Sequence, residues 1–397
     1  MSNMQNILVR YLIDFYSNED SGLRDADILE LAVLYANAAT TIASEVQDSI
    51  RDYLLESKFP HQISEENAVG TFSGNGRYLV ALYLLYGQEC FEADIYWKLF
   101  EIVKKGVQQI IQRLETSSFY LDDLDLMSGV LGVLNFLLEF QGCDKTISLE
   151  LDIVRLLVKI CRDKNGIIEN FLDKGMENIS GIYEHQLINL GCAHGILGIY
   201  VVLSKYTRCR SELVDDVWNV LNVIERMCFY SERQEMILPM KFGEVHNELL
   251  NCSKDIDYSW CYGIAGYLGI ALDNTLMPRS LLYGKRSLII SVVQNMMFKY
   301  PLNSNYISSS PYLCHGLASI LYELYWCGLK EFDDTINYVF MYIKDSEVFN
   351  SKGYSFEAGV DSLILSTSLG TALALNSIES NSRFKGDFIF GKVDRVL

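Results

Sequence analysis

Two kinds of hydrophobic segment alternate along this chain. One kind carries its apolar residues on a single side of a helical repeat. Between Asp25 and Leu55, Ile28, Leu31, Tyr35, Ala38 and Ile42 recur at spacings of three and four, which predicts one long amphipathic helix or two abutting ones. Lys58-Phe59-Pro60-His61 closes it, because the residue before a proline disfavours the α region. Phe91 to Thr116, Thr146 to Arg162, Ser211 to Tyr230, Arg279 to Tyr300 and Glu331 to Lys344 follow the same amphipathic pattern. The other kind is apolar nearly all round: Tyr78 to Leu85, Val133 to Phe140, Ile199 to Leu203, Ile264 to Leu272 and Leu317 to Tyr322, with a last stretch after Glu357-Ala358-Gly359. A glycine leads into each of these.

The alternation is an internal repeat with a period of roughly 45–70 residues, and it decides the expected fold. A helix apolar all round must be buried, and an amphipathic one covers it. Buried and half-buried helices in strict alternation close most economically into an all-α double ring, an α/α barrel. The leading glycines are expected to let the chain turn sharply into each inner helix and to permit close backbone approach at the axis. With short connections, the glycine-led loops share one end of the barrel, where the positive helix N-termini favour thiolates and other anions. Two connections are longer, Asn165 to Leu190 and Ser231 to Ser259. They read either as lids or substrate-gripping loops or as ordinary surface excursions.

Three of the glycine-led turns carry reactive side chains: Gly191-Cys192-Ala193-His194-Gly195, Trp260-Cys261-Tyr262-Gly263 and Cys314-His315-Gly316. Cys261, Cys314 and His315 make a Cys–Cys–His set that suits zinc, with a fourth position left open for water or a thiolate. The fold must bring them together, since their separation is far too large for a local zinc knuckle. His194 occupies the same frame as a candidate acid or base beside the metal, or as a fourth ligand. Asp125, four residues before Gly129, also falls at the mouth, although Asp122 and Asp123 beside it equally fit a solvated acidic loop. Tyr262 either fills space or offers its hydroxyl to a developing oxyanion.

Composition narrows the partners. A net charge of −18 excludes nucleic acid as the main one, because phosphate contacts need a basic face. The N-terminus shows no basic region followed by a long apolar run, and the uncharged stretch from Ser362 to Ile378 is too interrupted for a membrane span, so a cytoplasmic protein is expected. The ten cysteines then read as reduced thiols, and Cys90, Cys143, Cys161, Cys209, Cys228, Cys252 and Cys327 are assigned no chemistry.

Taken in order, the three Cys and His motifs resemble the lanthionine synthetase C-like peptide cyclases, and through the glycine-led repeats the resemblance covers nearly the whole chain, residues 1–397, as a single domain. The resemblance implies an α/α toroid and one Zn2+ per chain held by Cys261, Cys314 and His315. It also implies His194, Asp125 and Tyr262 as catalytic residues. The implied reaction, that of lantibiotic biosynthesis, adds cysteine thiols to dehydroalanine or dehydrobutyrine of a dehydrated precursor peptide (leader plus core), forming thioether rings. A dehydratase, a peptide transporter and peripheral membrane association through a complex are compatible with it. The family toroid has seven inner helices, whereas six glycine-led ones are visible here, so six to seven are expected, the seventh from a terminal segment. The chain departs from the family at Asp257, where an Arg is usual. Two other readings stay open: a non-catalytic zinc-bearing scaffold, and an α/α-barrel glycosidase using the carboxylates of Asp122, Asp123 and Asp125.

Overall fold

The computed structural model describes residues 3–17, 27–39, 42–58, 69–116, 123–139, 144–162, 186–188, 191–229, 242–245, 248–251, 260–261, 265–266, 279, 287, 290, 312–314, 316–328, 330–344 and 368–387. Twelve helices of eight residues or more lie within them. They are α1 (Asn3–Ser17), α2 (Ile28–Ala38), α3 (Ser44–Lys58), α4 (Gly76–Tyr86), α5 (Asp94–Thr116), α6 (Val130–Leu137), α7 (Asp144–Ile160), α8 (Ile196–Cys209), α9 (Val214–Phe229), α10 (Leu317–Cys327), α11 (Asp333–Lys344) and α12 (Ser368–Ser380). Short 3-10 turns, Gly87–Glu92 and Lys330–Phe332, precede α5 and α11.

Packing sorts these helices into two rings. Helix α2 packs on α4, α4 on α6, α6 on α8, and α10 on α12, which makes an inner ring. Each described member is buried over most of its surface, as its nearly continuous apolar sequence requires. Outside them, α5 packs on α4, α7 on α6, α9 on α8 and α11 on α10. Helix α1 touches both α2 and α12, bringing the first and last inner helices together. The structure therefore has the expected α/α toroid. Ala265 and Gly266 are helical, and they mark the inner position between α8 and α10.

The inner helix without a leading glycine is α2. The stretch read as one helix or two abutting ones is two with different roles, α2 in the inner ring and α3 outside. Asp27 caps α2, its carboxylate accepting the Leu29 N–H at 2.9 Å. The same side chain pairs with Arg77 at 2.6 Å, fastening the start of α2 to the start of α4.

Three strands supplement the rings and were not expected from the sequence: β1 (Gln186–Ile188), β2 (Phe242–Val245) and β3 (Glu248–Asn251). They form an antiparallel sheet in the order β1-β2-β3, with Leu187 opposite Gly243 and Gly243 opposite Leu250. The two long connections are thus paired with each other.

Buried polar contacts fix helix against helix. Arg210 holds Glu150 of α7 through two bonds of 2.7 and 3.1 Å, and Thr146 donates to the same carboxylate at 2.7 Å. Lys205 of α8 reaches Glu139 and the Asn135 carbonyl just beyond and within α6. Tyr200 donates to Glu225 between α8 and α9. Glu150, Lys205 and Glu225 are buried, so removing the partner of any of them strands a buried charge.

Of the two roles expected of the glycines, close backbone approach is found among the described residues and a special turn conformation is not. Gly129, Gly195 and Gly316 cap α6, α8 and α10 with extended backbones at φ −105°, −141° and −152°, which any residue can adopt. The steric demand falls three residues later. A Cβ at Gly132, Gly198 or Gly266 would strike the carbonyl of Leu126, Cys192 or Trp260, six residues before it in each case. Where the repeat has Ser319, its hydroxyl instead donates to the Gly316 carbonyl at 2.8 Å. At Gly198 the clash distance is 2.5 Å, against backbone. Gly198→Ala should therefore destabilise the fold by about 1–3 kcal/mol, the usual cost of overpacking. Urea unfolding of the two proteins measures it, and equal midpoints would refute this packing.

Candidate active site

The turns that lead into successive inner helices are bonded to one another through their backbones. Gly70 and Phe72 donate to the carbonyls of Ser128 and Met127 at 2.9 and 3.0 Å. Leu126 donates to Ala193 at 2.9 Å, Ala193 to Cys261 at 3.4 Å, and Trp260 to Cys314 at 2.8 Å. Five turns are linked in this way, each N–H pointing to the next carbonyl in the same rotational sense. The reactive residues sit on these links. Asp125 adjoins Leu126, His194 adjoins Ala193, and Cys261 and Cys314 are themselves linked residues.

Asp125 is 4% exposed, which rules out the solvated acidic loop. Its Oδ1 accepts the N–H groups of Met127 at 2.8 Å, Ser128 at 2.5 Å and Gly129 at 3.2 Å. Its Oδ2 accepts the Ser128 hydroxyl at 2.7 Å and lies 3.0 Å from His194 Nδ1. A carboxylate can only accept, so Nδ1 carries the proton in this contact. Nε2 of neutral His194 is then the basic nitrogen, on a side chain 39% exposed. Asp123, by contrast, pairs with Arg113. Paired carboxylates working as acid and base therefore have no support from Asp123 and Asp125.

Cys261 and Cys314 are 1% and 4% exposed, and their sulfurs stand 3.1 Å apart. That is far beyond a disulfide bond of about 2.05 Å. Two thiolates on one tetrahedral zinc, each at about 2.3 Å, stand about 3.8 Å apart, so the pair fits such a site after a small side-chain rotation. The donor chemistry, two soft sulfurs on adjoining linked turns, suits the same ion. His315 and Tyr262 lie outside the described residues, as does Asp257. Among the described residues no group of three potential metal ligands is assembled.

Sequence reasoning missed Ser128, although an Asp followed three residues on by Ser is a turn-forming pattern in which such side chains bond locally. It also left Cys192 without a role. Cys192 is buried, and its sulfur fills the space beside Gly266.

The thiols assigned no chemistry behave accordingly where they are described. Burial pushes the Cys90 thiol up to about 12 from an ordinary 9.0, and it raises Cys161 as well. A raised value means fewer thiolates at any lower pH. At pH 8 Cys90 should be alkylated by iodoacetamide roughly a thousandfold more slowly in the folded protein than in urea. Peptide mass mapping after timed labelling measures this, and rapid native labelling of Cys90 would contradict it.

Comparison with known proteins gives the family and the fold. The family of lanthionine synthetase C-like proteins matches residues 29–327. No curated protein sequence matches significantly. Among solved structures, nisin cyclase superposes with a TM-score of 0.68 at 17% sequence identity, covering 98% of this chain and 96% of that one. At that identity the likeness is one of fold, the α/α toroid. No described helix is long and apolar enough to cross a membrane.

Proposed function

The chain belongs to the lanthionine synthetase C-like family, and from that premise we propose that it is a zinc-dependent cyclase forming thioether rings in a dehydrated precursor peptide. The observation that carries this reading is the adjacency of two pairs. Asp125–His194 and Cys261–Cys314 occupy turns joined through the single residue Ala193. Cys261 and Cys314, with His315 as third ligand, would hold the zinc, one per chain. When bound, zinc supplies a Lewis acid that keeps a substrate thiol ionised at neutral pH.

The substrate thiolate forms a bond to the β-carbon of dehydroalanine or dehydrobutyrine. The π pair of that double bond moves towards the neighbouring carbonyl, giving an enolate, which then takes a proton at its α-carbon. His194 is suited to take the proton of the substrate thiol on Nε2 and to return it from there to the α-carbon. Asp125 keeps the other ring nitrogen protonated and hydrogen-bonded before and after the transfer, so the imidazole does not turn during the step. The hydroxyl of Tyr262 is assigned to the developing oxyanion. The peptide, with its leader, is the substrate, a dehydratase and a transporter are its expected associates, and the cytoplasm is the expected location.

Two variants test the assignment with a synthetic peptide carrying one cysteine and one dehydrobutyrine. Cys314→Ala should lose most of its zinc by elemental analysis. His194→Asn should keep zinc and fold but cyclise on the order of 10²–10⁴-fold more slowly, read by mass spectrometry after alkylation of unreacted thiol. Zinc loss in His194→Asn would make it a ligand. A wild type that binds zinc but leaves every tested peptide open would make the protein a zinc-bearing scaffold.

A further inference from the structure

The two oxygens of Asp125 are held unequally. Oδ1 is fixed by three backbone N–H groups, whereas Oδ2, the oxygen facing His194, has one anchor among the described residues besides the imidazole, the Ser128 hydroxyl at 2.7 Å. Ser128 is also fastened by its own backbone, since its N–H donates to Oδ1 and its carbonyl accepts the Gly70 N–H at 2.9 Å. The hydroxyl is thus presented from a rigid piece of chain.

We propose that Ser128 is a positioning residue for His194: its hydroxyl holds Oδ2 of Asp125 against Nδ1, and so keeps the proton on Nδ1 and Nε2 turned to the mouth. His194 gains from such a hold because its side chain is 39% exposed. Which ring nitrogen carries the proton is set by the partner of the other. With Oδ2 unanchored, the carboxylate can pivot about the fixed Oδ1, and the imidazole is free to sample the tautomer with its proton on Nε2. That neutral form cannot be recharged at Nε2 for the next proton delivery without a turn of the ring. The consequence for rate rests on the cyclase reading, while the tautomer itself does not.

The test compares wild type with Ser128→Ala and Ser128→Thr by nitrogen NMR of 15N-histidine-labelled protein. The His194→Asn spectrum identifies the His194 signals among the five histidines. Zinc content and cyclisation of the synthetic peptide are measured in parallel. Ser128→Ala keeps all three backbone bonds to Oδ1 and should retain fold and zinc. Its His194 should shift from the Nδ1–H form to a mixture, and kcat should fall about tenfold, the loss of one charge-assisted hydrogen bond, with KM unchanged. Ser128→Thr should restore both. If Ser128→Ala does not fold, the isosteric pair Ser128→Thr and Ser128→Val gives the same comparison. An unchanged tautomer in the variant lacking the hydroxyl overturns the proposal, as does failure of threonine to restore it. If wild type does not cyclise the peptide but the nitrogen signals still respond, the cyclase reading fails and the positioning role stands.

Discussion

The head-to-tail backbone bonding of the turns at the mouth is the constraint on which the site depends. Inner helices that are apolar nearly all round have few polar contacts, such as Lys205 with Glu139 and Arg77 with Asp27, to set their rotation or height against one another. The turns supply that register. Each passes one N–H to the next carbonyl, from Gly70 through Leu126, Ala193 and Trp260 to Cys314. The second glycine of three repeats lets the helix settle onto the carbonyl of its own turn, so helix and turn move as a unit. Placing a carboxylate, an imidazole and two thiols on those links converts a packing device into a chemical arrangement. Ala193 shows the coupling most directly, since it accepts from the turn of Asp125 and donates to the turn of Cys261.

Electrostatically, the mouth separates two tasks. Asp125 is buried, but its charge is met by three backbone donors, a hydroxyl and an imidazole, which is how an isolated carboxylate survives away from water. Little of it is left to face a substrate. The half-exposed His194 is the group that can. The sulfurs of Cys261 and Cys314 are buried next to each other, a costly place for two thiolates without a cation between them. The donor geometry and the charge argument thus both fit the zinc of the proposed function.

The double ring was legible because burial on all sides and burial on one side leave different periodicities. Asp25 to Leu55 misled at one point. Its apolar spacing is continuous, and the break near Ala39 has no glycine or proline to mark it, so one helix and two abutting ones read alike and the different roles of α2 and α3 did not show. The sheet was illegible for another reason: strands of three and four residues are too short for alternation to register against mixed surroundings. Among the site residues, Asp125, His194, Cys261 and Cys314 stood out by their repeated frame. Burial of Asp125 could not be read from a run containing Asp122 and Asp123, since only the fold decides which acid turns inwards. The close approach expected of the glycines falls on the second of each pair, which the sequence alone does not single out, because it marks both alike and only the carbonyl six residues earlier tells them apart.

The described turns at the mouth are joined by bonds that a visiting chain could imitate. Parting any two adjacent turns bares one N–H on one side and one C=O on the other. That is the complement an extended peptide presents along its own backbone, independent of its side chains. The link from Ala193 to Cys261, at 3.4 Å, is the longest of the series. A segment of extended chain seated there would exchange hydrogen bonds rather than lose them, and would be read through its main chain and not its side chains.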